Sequence, residues 1–306
     1  MSQDREAMLY GLGAVALWST VATAFKLALE QMSPLELVWL AALVSWLLIG
    51  VLMWRQGKLR EALTTGWRGG WRTALWAGLM NPVGYYLVLF GAYARLPGQE
   101  AMALNYTWAL AMAFLAVPIL AQRLTRIDVA AGLIAYAGVW TIATRGEIFD
   151  VAFADPLGVG LALGSTLLWA LYWLLNARDP RAPLVAQWQN FSIALPVLTL
   201  LVAFGPGFGN FIGASANPQA LTAGIYVGLC EMGIAFVLWQ LAVHKVSRTA
   251  KVSNLIFLSP PISLTLLHFI VGEPILTSTL AGLVLILAGL GLQQLQKAPA
   301  ELSQST

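Results

Sequence analysis

The stretch PLELVWLAALVSWLLIGVLMW, Pro34–Trp54, carries no charge after Glu36, and RQGKLREALTTGWRGGWR, Arg55–Arg72, follows it with five basic residues. An α-helix rises about 1.5 Å per residue, so about 20 apolar residues cross a hydrocarbon layer about 30 Å thick. The first stretch therefore reads as a transmembrane helix. The second reads as its cytoplasmic end, because short loops rich in Lys and Arg stay in the cytoplasm. Working outward, the same reading assigns ten apolar segments: Met8–Leu29, Pro34–Trp54, Thr73–Ala94, Gln99–Ala121, Val129–Thr144, Leu157–Ala177, Leu184–Phe204, Leu221–His244, Val252–Val271 and Ile275–Leu292. Of the 17 Lys and Arg residues, only Lys26, Arg95 and Arg145 fall on the side opposite Arg55–Arg72. Both termini are thus expected in the cytoplasm.

With 59% hydrophobic and 10% charged residues, the composition is that of an all-α integral membrane protein in a lipid bilayer. The formal charge of +3 reports topology and does not point to nucleic acid. The Arg55–Arg72 connector carries Leu59, Leu63, Trp67 and Trp71, which suits a short interfacial helix or a solvated link. The single cysteine, Cys230, excludes an intrachain disulfide. Ala22-Thr23-Ala24 looks like a cleavage site, but Asp4 and Glu6 oppose Arg5 in the leader, so the first segment is read as a retained helix.

Shifting the chain by about 150 residues lays its second half on its first. Gly78-Leu79-Met80-Asn81 falls on Gly228-Leu229-Cys230-Glu231, Tyr86 on Phe236, Arg95 on Lys245 and Gly132 on Gly282. Within one residue, Trp18 meets Trp169, Asn105 meets Asn254 and Gly138 meets Gly289. Residues 1–150 and 151–306 are therefore expected to be two five-helix repeats. Five is odd, so the second repeat enters the membrane from the other side, an inverted arrangement suited to a carrier with alternating access.

Of the 14 acidic residues, only Glu231 lies near the middle of an apolar segment. A charge there costs roughly 2.5–3.5 kcal/mol on insertion scales, so such a group faces a bundle interior or a wet cavity. Glu231 is read as exchanging a proton or meeting a substrate ammonium. The duller reading is a permanently protonated acid that bridges two helices. Asn81-Pro82 interrupts the third segment and Ser259-Pro260-Pro261 the ninth. Proline frees a carbonyl one turn earlier, so Pro82, Pro260 and Pro261 mark hinging or substrate-facing backbone, or only kinks. Asn81 and Tyr85 share a helix face, as do Asn105 and Trp108, and Trp169, Tyr172 and Trp173. With Trp18, Tyr86, Asn254 and Ser259 they complete the expected substrate-binding set. Such rings would stack on an aromatic side chain and hold a cation over a face. Trp39, Trp46, Trp54, Trp67, Trp71 and Trp140 suit an interfacial belt or packing.

Trp18-Ser19, Trp169-Ala170-Leu171-Tyr172, and Glu273-Pro274-Ile275 followed by Gly282 and Gly289 resemble the EamA-type branch of the drug/metabolite transporter superfamily, over nearly the whole chain. In the first half the place of Glu273 reads Gln122-Arg123-Leu124-Thr125, without the acid, so no role for that acid is carried over. Within the branch the chain looks most like bacterial aromatic amino acid exporters. The resemblance implies efflux of aromatic and related amino acids across the cytoplasmic (inner) membrane. Drugs or other organic cations and nucleotide sugars are the alternative cargoes, with or without proton coupling.

No Gly-x-x-x-x-Gly-Lys-Ser/Thr loop is present, so no ATP-driven domain is expected. His244 and His268 lie near segment ends without a second ligand at helical spacing, so no metal, cofactor or intramembrane enzyme is expected. A channel would call for rings of like charge or carbonyl repeats.

Overall fold

The computed structural model describes residues 3–64, 67–120, 125–147, 155–176, 179–245 and 254–296, and every regular element in them is helical. The helices are α1 (Gln3–Leu29), α2 (Pro34–Arg55), α3 (Leu59–Leu63), α4 (Trp67–Gly78), α5 (Tyr85–Arg95), α6 (Gly98–Asn105), α7 (Trp108–Leu120), α8 (Arg126–Ala143), α9 (Pro156–Asn176), α10 (Pro183–Phe204), α11 (Gly207–Ser215), α12 (Pro218–Tyr226), α13 (Ala235–Lys245), α14 (Ser259–Leu266) and α15 (Thr277–Gln296). A π-helical stretch, Leu79–Gly84, joins α4 to α5, and another, Val227–Ile234, joins α12 to α13. Among the described residues, seven spans are long and apolar enough to cross a membrane, and Val129–Ala143, Ser259–Val271 and Thr277–Leu292 are shorter apolar helices. The outward faces carry Phe204, Phe269 and Trp54 at 86%, 78% and 70% exposure, a surface suited to lipid.

Local chemistry sets the helix starts. Glu36, the one charge in the opening stretch, closes a capping box: Ser33 N–H donates to Glu36 Oε2 at 2.7 Å and Glu36 N–H to Ser33 Oγ at 3.3 Å. Asp155 Oδ1 accepts from Gly158 N–H at 2.8 Å at the head of α9, and Pro183 and Pro218 open α10 and α12, where a missing N–H costs nothing. The Gly158 amide, joined by the Arg95 guanidinium, holds the Asp155 carboxyl below the usual carboxylate range.

The helices pair across the two halves of the chain. α1 packs on α13 and α5 on α9, α2 on α10, and α8 on α15. Glu6 at the start of α1 reaches Lys245 at the end of α13 (2.6 Å), and Asp155 before α9 reaches Arg95 at the end of α5 (3.0 Å). The α8–α15 seam is built on glycine: a Cβ on Gly138 would sit 2.5 Å from Gly282 O, one on Gly282 2.6 Å from Gly138 O, and one on Gly289 2.6 Å from Ala131 O. Gly224 and Gly228 likewise bring the second π-helical helix onto Leu40, Ala41 and Val44 of α2.

Three places depart from the simple reading. The fourth segment is broken between α6 and α7 at Tyr106-Thr107, where neither proline nor glycine gives warning. In the described part of the ninth, a 3-10 helix, Asn254–Leu258, runs directly into α14, and Pro260 and Pro261 lie in the first turn of α14. The Gly- and Pro-rich link after α10 holds α11, whose Phe208 and Phe211 set their edges on Trp39 at 5.3 and 5.0 Å. Trp39 also donates to Thr199 Oγ1 (2.9 Å) and Trp46 to Ser192 Oγ (2.8 Å), so both tie α2 to α10. Among the described residues of the connector, the five-residue helix α3 precedes α4, which begins at Trp67.

Candidate functional site

The site lies where the π-helical stretches Leu79–Gly84 and Val227–Ile234 face the interior; a third, Leu267–Val271, follows α14 away from it. Asn81 leaves helical geometry (φ −144°, ψ 114°), and Pro82 beside it has no N–H to give. The opened backbone of the second stretch is satisfied from neighbouring helices: Met232 O accepts Ser45 Oγ–H at 2.9 Å and Gln187 Nε2–H at 2.7 Å. Irregular backbone at this depth is tolerated only where such partners or a cavity exist.

Glu231 is buried, and Tyr86 donates its hydroxyl to Oε1 at 3.0 Å. The other oxygen, Oε2, has no hydrogen-bond partner among the described residues, and neither does Asn81 Oδ1. Around this carboxyl the rings form one continuous cluster. Tyr85 stacks on Trp169 with centroids 4.4 Å apart, Trp169 stacks on Tyr172 at 5.9 Å, and Trp173 lies parallel to Phe236 at 6.5 Å. Trp18 meets Phe236 edge-on at 6.1 Å and Trp239 at 5.2 Å. The Tyr172 hydroxyl lies beside the side-chain amides of Asn190 and Asn81.

A cleft of about 200 Å³ enters this cluster at the end of the bundle that carries the basic connector, lined by Tyr172, Trp173, Asn176, Asp179, Arg181, Gln187, Phe236, Trp239 and Gln240 among others. A wider, shallow groove of about 530 Å³ between Trp46, Leu195 and Leu200 lies on the outer, lipid-suited face and carries no charged group.

At the opposite end the bundle is tied shut. Glu273 places its carboxylate on the head of α6, accepting Gly98 N–H at 2.7 Å and Gln99 N–H at 3.2 Å, where backbone donors and the helix dipole favour an anion. Lys26 Nζ donates to the carbonyls of Tyr93 and Leu96 at 3.1 Å each and lies 3.8 Å from Glu273 Oε1. Arg145 pairs with Glu100 at 3.0 Å. The three sparse cations of this end, Lys26, Arg95 and Arg145, are therefore each neutralised by a carboxylate. Replacing Glu273 with Ala removes the anion from two helix-head donors, and about 1–2 kcal/mol of stability should go with it. A lower melting temperature in detergent is the expected reading, with Glu273→Gln losing less.

Trp18, Asn81, Tyr85, Tyr86, Trp169, Tyr172, Trp173 and Glu231 thus come together. Asn105 sits at the edge, donating to Ser165 Oγ (2.9 Å) beside the Tyr85 hydroxyl. Ser259 is buried next to the Tyr106 hydroxyl, and Trp108 packs half-buried on the main core without a ring partner in this cluster. The Asn254 side chain lies outside the described residues. Sequence reading missed Phe236 and Trp239, though both lie within about two turns of Glu231, and it missed the polar wall of Asp179, Arg181, Gln187 and Asn190.

Comparison with known proteins adds identity to this geometry. The model of the EamA-like transporter family matches residues 5–144 and 156–293. The chain belongs to that family. EamA-like proteins are transporters, so this is a transmembrane transporter and not an enzyme. The chain is 26% identical over 270 residues to an aromatic amino acid exporter of Ancylobacter novellus, covering 87% of this chain and 88% of that one. It is 26% identical over 213 residues to a probable terminal-alkyne amino-acid exporter of Streptantibioticus cattleyicolor, covering 67% of each. A crystal structure of 23% identity superposes with a TM-score of 0.64, covering 94% of this chain and 96% of that one, which shows a shared fold.

Proposed function

We propose that this EamA-like protein is a secondary transporter that exports aromatic and other bulky amino acids across the bacterial cytoplasmic membrane by alternating access, with both termini in the cytoplasm. The observation that carries the reading is a buried carboxyl, Glu231, set in a cluster of indole and phenol rings that a cleft reaches from the basic end. Aromatic walls suit an aromatic side chain, and a carboxyl suits an ammonium. Both relatives are named as amino-acid exporters, one of them for aromatic substrates.

Ten membrane helices in two inverted halves, residues 1–150 and 151–306, are part of the same proposal. It is supported by the family match falling in two stretches, by π-helical stretches at Asn81 and at Glu231, and by the crosswise pairs Glu6–Lys245 and Asp155–Arg95. Alternation then closes the cleft at the cytoplasmic end and parts Glu273 from the head of α6 at the other. The non-helical turn at Asn81-Pro82 is the natural hinge. Pro82→Ala should slow tryptophan transport severalfold while leaving its binding unchanged within about twofold. Equal rates would remove the hinge from the mechanism.

Uptake of radiolabelled tryptophan and phenylalanine into proteoliposomes, with and without a pH gradient, tests the function. Saturable uptake supports it. Uptake of aromatic amines in preference to amino acids would turn the assignment to a carrier of organic cations, which the same rings and carboxyl would also hold.

A further inference from the structure

We propose that Asp179 and Arg181 form the receiving site for the zwitterionic headgroup of the substrate at the mouth of the cleft, carboxylate to Arg181 and ammonium to Asp179. The inference rests on the amino-acid reading above and names the residues that select an amino acid from an amine or an acid of the same side chain.

The pair is buried, with side-chain exposures of 5% and 4%, yet it lines the cleft. A buried ion pair loses much solvation and is often no better for stability than apolar packing of the same volume. Its place against a ring-lined cavity therefore suits recognition. Arg181 Nε and Nη2 donate to Asp179, with Nη2 to Oδ2 at 2.6 Å. Its remaining hydrogen bonds hold the plane of the guanidinium through neutral groups: Nη1 to Gln189 Oε1 and Nη2 to Asn190 Oδ1, both at 3.0 Å. The hydrogen bonds among the described residues use Nε, both N–H groups of Nη2 and one of Nη1, which leaves one of the five N–H donors of arginine, on Nη1, for a further acceptor. α4 is notched to admit the side chain, since a Cβ on Gly70 would lie 2.7 Å from Arg181 Cδ.

A second observation points independently to a ligand. Gln187 also lines the cleft, its Nε2 is committed to Met232 O, and its Oε1 is a buried acceptor without a partner. An ammonium between Asp179 and this oxygen would give the oxygen its missing donor and add a charge-assisted bond to the carboxylate, and a substrate carboxylate would accept the remaining Nη1 N–H of Arg181. Adding a zwitterion to an ion pair leaves the net charge at zero, whereas an amine or an acid alone adds an uncompensated buried charge. The side chain of the ligand would then lie among Trp173, Phe236 and Trp239, short of Glu231.

Binding of L-tryptophan, tryptamine and indole-3-propionate to the full chain in detergent, by calorimetry, tests the assignment. Wild type should prefer tryptophan to each analogue by about tenfold or more. Arg181→Gln should bring tryptophan to the level of tryptamine, and Asp179→Asn to that of indole-3-propionate. Arg181→Lys keeps the charge within the same notch but loses the fork, so it should fold and still lose most of the preference over tryptamine. A purely structural pair would lower the melting temperature and leave these ratios unchanged, and unchanged ratios in Arg181→Lys and Asp179→Asn overturn the proposal. Equal binding of all three ligands by wild type overturns it as well. Absence of tryptophan uptake by wild-type proteoliposomes would instead strike the amino-acid reading itself.

Discussion

Glu231→Gln is expected to cut tryptophan transport by about tenfold or more and to abolish any response to a pH gradient. Glutamine has nearly the same shape and keeps an oxygen for the Tyr86 hydroxyl, so the rings and the π-helical stretch should stand unchanged. What goes is the charge and the proton that the carboxyl can exchange. A hydrogen bond to a charged partner contributes about 1.5–3 kcal/mol, which corresponds to at least about tenfold in binding. No Lys or Arg forms an ion pair with Glu231 among the described residues, and Oε2 has no partner there, so the carboxyl is open to an arriving ammonium or proton. Uptake by the variant in proteoliposomes, at equal reconstituted amounts, decides the matter. Wild-type rates with an intact gradient response would make Glu231 a neutral strut between helices.

Gly282→Val should leave almost no well-folded protein. The added Cβ would fall 2.5 Å from Ile142 Cγ1 and 2.6 Å from Gly138 O, and a backbone carbonyl inside a helix has no rotamer by which to retreat. Gly138→Val meets the same obstacle from the other side of the seam. Overpacking costs typically about 1–3 kcal/mol where side chains yield, and here the loss should reach the upper end, about 3 kcal/mol. Size-exclusion profile and melting temperature in detergent report it, with Gly160→Ala as the control, since nothing lies within 4 Å of its added Cβ. A monodisperse Gly282→Val with wild-type melting would show that α8 and α15 can part without harm.

The helical segments were legible because lipid imposes one requirement on every spanning residue, and hydropathy reads that requirement directly. Glu231 and the break at Asn81-Pro82 were legible for the same reason, each being an exception to it. The break at Tyr106-Thr107 was not, because it carries no helix-breaking residue. Arg181 was hidden by its location: it lies in a short connector where topology alone asks for basic residues, and nothing local says that it turns inward. Trp39 and Trp46 suited an interfacial belt or packing equally, and what local sequence does not show is that their indole N–H groups find hydroxyls on α10 far along the chain. Glu273 was visible as part of a family pattern, but its contact with the head of α6 joins residues about 175 apart, beyond any local rule.

The crosswise pairing of α1 with α13 has a consequence for biosynthesis. Glu6 meets Lys245 only after 239 further residues have been made, and Ser19 O and Thr20 await Ser263 and Tyr226. At about 5–20 residues per second, that wait is on the order of tens of seconds. The newborn first helix must therefore lodge in the bilayer or its insertion machinery with its polar groups provisionally occupied, and assembly can be completed only near the end of translation.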